Sequence, residues 1–407
     1  MHNKIEETYT SKFSMSDPSI VSSGSSNSQR YSDSPLGASD IGQFDIIDDL
    51  DYDDVDDGLI VDQELMYQYR QAIINQVYEG EKQYLETLAT TIDTYLLPLR
   101  KSLKTTSFNF LGIKKAPCTE KEIGWLFNNI EEIYKLHLGN LSMFSERLNI
   151  WGPTQIISDI VQTRLTAQRE VYNNYFNRYD IMVTTFERLS RYQPFKKYIE
   201  SIDKNAKGTT VLLSLLQSPL KSIAQTRELF KSLSDNTSPM HPDYIGLMQC
   251  KNRIISIYSE FKPKLEDAQN VNKVYQIQVK LLGQPFGVKT SRRLILQDSF
   301  TKSNRLTNED TVYFLFSDIL VFAKQKSSSL QYKGHIILDR TKVRAAANNN
   351  DFSVEVMCPY QGVDSLNSTF MSSPSTHVIR TSSRADQLKW ITTLEAVVSK
   401  LEQKQSR

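Results

Sequence analysis

Few residues in this chain have the type and spacing that chemistry requires, and Glu81 is the most informative of them. Tyr69, Ile73, Val77, Leu85 and Leu88 recur at helical three-and-four spacing, and Glu81 falls in the one gap of that apolar stripe, beside Gly80. A carboxylate on such a stripe is costly unless it is paired. It either meets a local cation or borders a groove that a second molecule enters. His137 lies on the stripe of a second helix and reads as a hydrogen-bonded core histidine. Asp53, Asp57, Gly58, Ile60 and Glu64 fit positions one, five, six, eight and twelve of an EF-hand loop. Val55 stands at position three, where an oxygen ligand is needed, so a solvated acidic run is the better reading. No metal and no cofactor is expected.

Other catalytic signatures are missing. There is no GxGxxG, and Lys207-Gly208-Thr209-Thr210 lacks the upstream glycine of a phosphate loop. HExxH and GxSxG are absent, which lowers the case for a metabolic enzyme. The three cysteines, Cys118, Cys250 and Cys358, are far apart, which excludes a disulfide framework and points to a reducing compartment. Basic residues are dispersed without an aromatic RNP-type motif, so nucleic acid is not the expected partner. No apolar run approaches the ~18 residues of a membrane span. Met1 to Glu7 has no apolar core, so a secretory leader is not expected.

The elements that must position these residues follow from charge and periodicity. The net charge of +1 conceals a split: residues 1–64 hold 15 acidic and 3 basic side chains, net −12, and the rest is net +13. Residues 1–44 are Ser-rich with few large apolar side chains and are expected to be disordered. Residues 45–57 carry eight Asp. From Leu65 an amphipathic helix runs to an expected end near Pro98. Ile123 to Leu148 and Tyr172 to Leu189 each predict a helix. Val211 to Leu233 is helical with Pro219 inside, and a last long helix follows His241-Pro242-Asp243-Tyr244 to about Leu282, with a kink expected at Pro263. Residues 65–282 therefore predict one elongated helical bundle.

Gly283-Gln284-Pro285-Phe286-Gly287 is a breaker cluster and an expected hinge. Beyond it the period becomes two. Strands are predicted around Leu294–Leu296, Val312–Phe316, Ile319–Phe322, Ile336–Leu338, Phe352–Val356 and His377–Ile379. An amphipathic helix follows from Ser383 to Leu401, on Leu388, Ile391, Leu394, Val397, Val398 and Leu401, and its Trp390 is expected to pack on the sheet. The expected class is multidomain: an all-α bundle, then an antiparallel β-barrel capped by a C-terminal helix. The boundaries are a tail over 1–64, a helical domain over 65–282, a linker over 283–289 and a barrel domain over 290–404.

This order of parts resembles the Dbl-homology plus pleckstrin-homology tandem of Rho-family guanine nucleotide exchange factors, over about residues 66–402. The family's first region is matched by Val77-Tyr78-Glu79-Gly80-Glu81-Lys82-Gln83-Tyr84-Leu85, with Gly80 where the family usually has Thr. Leu126-Phe127-Asn128-Asn129-Ile130-Glu131-Glu132-Ile133 matches the second, and Pro194-Phe195 and His241-Pro242-Asp243-Tyr244 also fit. The third region departs. Leu216-Gln217-Ser218-Pro219-Leu220 fits, but Lys221-Ser222 replaces Gln-Arg and Gln225-Thr226 replaces a basic-Tyr pair. An Asn expected late in the last helix falls at Phe261 or Lys262. In the second domain, Tyr313 to Leu320 and Ala385 to Ile391 carry the likeness.

The resemblance implies a bundle that grips both switch regions of a Rho-type GTPase, distorts its Mg²⁺ and nucleotide site and lets GDP leave. Glu81 would engage the first switch. Lys221, Gln225 and Lys262 would face the second. The exchange factor makes and breaks no bond; it binds the empty GTPase better than the loaded one. Lys302 and Arg305 would contact an anionic phospholipid surface, so the expected place is the cytoplasm with recruitment to the plasma membrane's inner face. The alternative is an exchange-inactive scaffold of the same fold that binds GTPase or membrane. The charge split further predicts that the acidic tail restrains the basic body. Deleting residues 1–60 should raise activity, and high salt should mimic the deletion; equal rates for both chains at low salt would contradict it.

Overall fold

The computed structural model describes residues 57–106, 115–202, 209–283, 286–304, 307–326, 329–346, 352–358 and 375–405. The acidic run up to residue 56 and Arg305 lie outside them. No helix among the described residues is long and apolar enough to cross a membrane.

Helix α1 spans Asp57–Thr90, so Asp57 to Glu64 form its first turns rather than a loop. The expected end at Pro98 is replaced by a π-helical turn, Thr91–Leu96, that leads directly into α2, Leu97–Thr106. Thr87, Thr90 and Thr91 each donate a hydroxyl to the carbonyl four residues back, at 2.8–2.9 Å. Such back-bonding loosens the α ladder, and the wider turn then admits a proline with no N–H to give. Ile73, Val77, Leu88 and Ile92 enter the core, whereas Leu65 and Tyr69, expected on the same stripe, stay exposed.

The helix expected over Ile123–Leu148 is two, α3 (Glu120–Phe127) and α4 (Ile130–Asn149). The break is at Asn128, whose φ of 50° is tolerated by Asn better than by most residues. Its Nδ2 donates to Tyr175 O at 2.9 Å, and Asn129 Nδ2 donates to Val171 O at 3.0 Å. Long-range hydrogen bonds therefore set this break, while the apolar period runs straight through it. Similarly, α5 (Ser158–Asn177) and α6 (Tyr179–Arg191) divide at Arg178. After α7 (Gln193–Ile202) come α8 (Thr209–Leu216) and α9 (Ser218–Asp235). Pro219 sits in the first turn of α9, where its missing N–H costs nothing, rather than inside one longer helix. Helix α10 spans Tyr244–Lys280 with Pro263 inside.

One buried node ties three of these helices. Asp243, immediately before α10, accepts from Arg70 Nη2 of α1 at 2.9 Å and from the backbone N–H groups of Ile157 and Ser158, at the start of α5, at 3.0 and 3.1 Å. Trp151 lies against the Arg70 guanidinium at 5.3 Å.

The described residues of the second half contain eight strands: β1 (Leu281–Leu282), β2 (Leu294–Asn304), β3 (Thr307–Phe316), β4 (Ile319–Lys326), β5 (Ser329–Ile337), β6 (Lys342–Ala345), β7 (Ser353–Cys358) and β8 (Ser375–Arg380). They form two sheets, ordered β1-β5-β4-β3-β2 and β6-β7-β8. All neighbours are antiparallel except β1 and β5. Where one barrel was expected, no ladder joins the two sheets among the described residues. Helix α11, Arg384–Gln405, starts where Ser383 Oγ accepts from Asp386 N at 3.1 Å. Trp390 is fully buried among both sheets and α11, and Leu388, expected on the buried stripe, is exposed.

Strand β3 explains its unbroken apolar run. Tyr313 and Leu315 face the core beneath Trp390, while Val312, Phe314 and Phe316 face Val274 and Ile277 of α10. A strand buried on both faces has no polar side to show. The last turns of α10 thus belong to the core on the outer face of the five-stranded sheet.

Asp243→Ala should cost about 3–5 kcal/mol, because it strands a buried guanidinium and two N–H groups. Urea unfolding of the variant against the native chain measures this.

Candidate functional site

A groove of about 780 Å³ runs between α1 and α9. Val77, Gly80, Glu81 and Tyr84 form its α1 wall, and Lys221, Gln225 and Leu229 belong to its α9 wall. Lys221 and Gln225 are exposed and one helical turn apart, so both stand on the same face of α9. A Cβ at Gly80 would meet nothing within 4 Å, so the glycine leaves that wall open and packing does not demand it.

Glu81 is only 5% exposed. Its Oε2 is 3.0 Å from Arg164 Nη2, and its Oε1 is 2.6 Å from His137 Nδ1. The Asn140 side chain beside it also favours the charged form of the carboxylate. Arg164, 3% exposed, reaches across to Thr226 Oγ1 of α9 at 3.3 Å and lies 5.5 Å from the Phe230 ring. His137 Nε2 is 2.8 Å from the Tyr172 hydroxyl, which in turn lies 3.1 Å from the Tyr84 hydroxyl and 3.4 Å from Ser222 Oγ. A polar network therefore passes from the groove wall through α4 and α5 and returns to α9.

Its charge states follow from burial and partners. Burial pushes the Glu81 carboxyl up, but Arg164, His137 and Asn140 together outweigh that and hold it below the usual range. Burial holds His137 below its ordinary value despite the pull of Glu81. The carboxylate is thus ionised and the imidazole neutral. Neutral imidazole has one N–H, which facing a carboxylate sits on Nδ1, leaving Nε2 to accept from Tyr172. Burial also pushes the Tyr172 phenol up to about 12, so it keeps its proton. One ion pair with neutral donors around it satisfies most of the buried groups. Arg164 Nε, Asn140 Nδ2 and both Gln168 side-chain atoms are without a hydrogen-bond partner among the described residues.

The groove gathers three of the residues marked by the sequence, Glu81, Lys221 and Gln225. Lys262 is not among its lining; its side chain is 66% exposed on α10, 4.0 Å from Glu266. Lys302 lies near the end of β2, opposite Glu309 in the ladder, and Arg305 falls outside the described residues. His137 is the hydrogen-bonded core histidine expected of it, and Trp390 is core but not apolar throughout, since its Nε1 donates to Asp298 at 2.9 Å. Sequence reasoning missed Arg164, the main counter-charge of Glu81. The available signal was a cation spaced with Ile160, Val161, Leu165 and Gln168 on one helical stripe.

Two known families match this chain: residues 73–262 match the RhoGEF domain and residues 288–397 match the SOS1/NGEF-like PH domain. Among curated proteins, Rac guanine nucleotide exchange factor B of Dictyostelium discoideum is 24% identical, over 67% of this chain and 25% of its own length. FERM, ARHGEF and pleckstrin domain-containing protein 2 of Mus musculus is 26% identical, over 77% of this chain and 29% of its own. This chain thus spans about a quarter of the length of these relatives. Among solved structures, the DH/PH domains of p115-RhoGEF align with a TM-score of 0.48 at 12% identity, covering 82% of this chain and 94% of that one.

The network has a pH signature. A group held below its ordinary pKa in the fold takes up its proton first in the unfolded chain, so its stabilisation is lost as pH falls. Stability should drop on acidification through about 6.5, where unfolded His137 charges, and again below about 4.5 as carboxylates such as Glu81 protonate. In ¹⁵N spectra the His137 ring should keep its neutral, Nδ1-protonated pattern at pH 6; a ring that titrates at its ordinary value would contradict the assignment.

Proposed function

We propose, since this chain belongs to the Dbl-homology/pleckstrin-homology family of Rho guanine nucleotide exchange factors, that the groove between α1 and α9 binds a Rho-family small GTPase and promotes release of its GDP. The observation that carries this reading is the meeting of Glu81 with Lys221 and Gln225 in one groove, although 140 residues separate Glu81 from Lys221. Exposed Lys221 and Gln225 supply polar contacts on one wall, and Val77, Leu215 and Leu229 supply apolar area. Exchange then needs no covalent step. The groove must hold the empty GTPase more tightly than the loaded one, and a thousandfold preference corresponds to about 4 kcal/mol.

Glu81 enters this scheme differently from the simple expectation. Its carboxylate is already held by Arg164 and His137. Its first role is to fix the groove floor, and a direct contact with the GTPase would require it to leave these partners. This same observation favours a second reading, in which the chain is an exchange-inactive scaffold that binds a GTPase without emptying it. The altered third region, with Lys221-Ser222 and Gln225-Thr226, points the same way.

For the second domain we propose a supporting role for the groove and contact with anionic phospholipid near the turn after β2, where Lys302 lies. Work at the cytoplasmic face of the plasma membrane follows from that reading.

Release of a fluorescent GDP analogue from a panel of Rho-family GTPases tests the proposal. The chain should accelerate release from at least one member. Lys221→Glu combined with Gln225→Glu should reduce that rate at least about tenfold with an unchanged melting temperature, since both side chains are exposed. Glu81→Ala is a poor substitute, because it leaves Arg164 buried and uncompensated and lowers the melting temperature itself. Binding to nucleotide-free GTPase without acceleration would select the scaffold. Neither binding nor acceleration would overturn the groove assignment.

A further inference from the structure

A second cleft, of about 820 Å³, lies between the last turns of α10 and the outer face of the five-stranded sheet. Lys273 and Lys280 line it from the helix. They are seven residues apart, two turns on one face, or about 10 Å along the axis. Both are exposed, and neither side chain makes a hydrogen bond or ion pair among the described residues. Gln276 stands between them.

The opposite wall has a matching polarity. Gln297 and Ser299 are two apart on β2, and they pair in the ladder with Phe314 and Val312 of β3. Strand alternation sets all four on the face toward α10. Phe314 and Val312 are buried against Val274 and Ile277, giving the cleft an apolar floor with amide and hydroxyl groups above it. The one carboxylate among its described lining residues, Asp298, is already engaged. Its Oδ2 accepts from Trp390 Nε1 at 2.9 Å and from Lys389 Nζ at 3.0 Å, both on α11. Among the described residues, these two ammonium groups over an apolar floor thus have no local counter-charge.

The two walls are held at a fixed separation. Asn270 of α10 clips the first residue of β2 from both sides, donating to Leu294 O at 2.8 Å and accepting from Leu294 N at 2.7 Å. Arg293 forms a two-pronged ion pair with Asp267 of α10 at 2.5 and 2.7 Å.

We infer that this cleft is a binding site for a small phosphate-bearing anion, held jointly by the helix and the sheet. A chain of phosphates offers several acceptor oxygens to each end of the cleft, where lysine, amide and hydroxyl donors are the available groups. A soluble condensed phosphate and the headgroup of an anionic lipid share that chemistry. The site is distinct from the turn after β2 and does not depend on GTPase binding.

Calorimetric titration of the full 407-residue chain with inorganic tripolyphosphate at low salt tests it. The expected result is saturable binding at one site, weakened about tenfold by Lys273→Ala and by Lys280→Ala. Gln297→Glu should weaken it similarly from the sheet side, while Lys196→Ala, on exposed α7 surface, should not. All four positions are exposed, so folding should survive each change. No saturable binding, or equal loss with Lys196→Ala, would overturn the site. Sedimentation with phosphatidylcholine vesicles, with and without phosphatidylserine, separates the sources: lysine-dependent capture by the anionic vesicles assigns a lipid headgroup, and its absence beside tripolyphosphate binding assigns a soluble ligand.

Discussion

The buried ion pair between Glu81 and Arg164 is the constraint on which the rest of the bundle depends. A carboxylate in an apolar interior is tolerated only with a matched cation and further hydrogen bonds. Those partners come from three other helices: His137 from α4, Arg164 from α5, and, through Arg164, Thr226 from α9. Satisfying one charge thus fixes the relative placement of four helices and, with it, the width of the groove. Its energetic worth against an apolar replacement is modest, but its loss by halves is not, because either partner alone would be a stranded charge. Such a network sets geometry more than stability, which suits a surface that, under the function proposed above, distinguishes two states of a partner.

Helix α10 carries that geometry to the second domain. At 37 residues it is about 55 Å long, and it contributes to two cores in turn. Leu247, Ile254 and Phe261 pack in the bundle, while Val274 and Ile277 pack on the sheet. The junction beyond it is not an open hinge. Arg292, nearly fully buried, donates to both oxygens of Asp318 at 2.7 Å and to Gly287 O at 3.0 Å, and Gln278 donates to Phe286 O at 2.7 Å. The breaker residues that marked an expected hinge therefore end in a clasp. The domains meet through directional polar contacts as well as apolar area, which fixes an angle better than area alone does.

Much of this was legible in the sequence, and the exceptions have physical causes. Stripes of apolar residues located most of the helices because burial and periodicity are linked, but not α7 or the part of α5 from Ser158 to Val171. They missed the breaks at Asn128 and Arg178 because those are set by hydrogen bonds and packing from a distant helix. The four-residue strand β6 was missed because its side chains are largely exposed and show no alternation. Glu81 stood out as an anomaly on its stripe. Its partner could not be named, since Arg164 is 83 residues away and only the fold brings them together. At the late position of the last helix, one residue decided the outcome: Phe261 turns into the core and Lys262 into solvent. A step of one residue rotates a helical side chain by about 100°, so alignment alone could not separate a groove residue from a bystander.

Site-directed photo-crosslinking from position 225 tests the central claim most directly. A photoreactive residue there, exposed in the α9 wall of the groove, should capture a nucleotide-free Rho-family GTPase, and added GTP should abolish capture. The same probe at Lys121, on exposed α3, should capture nothing. Capture from position 121 but not from 225, or capture indifferent to nucleotide, would contradict a groove that reads the empty state of its partner.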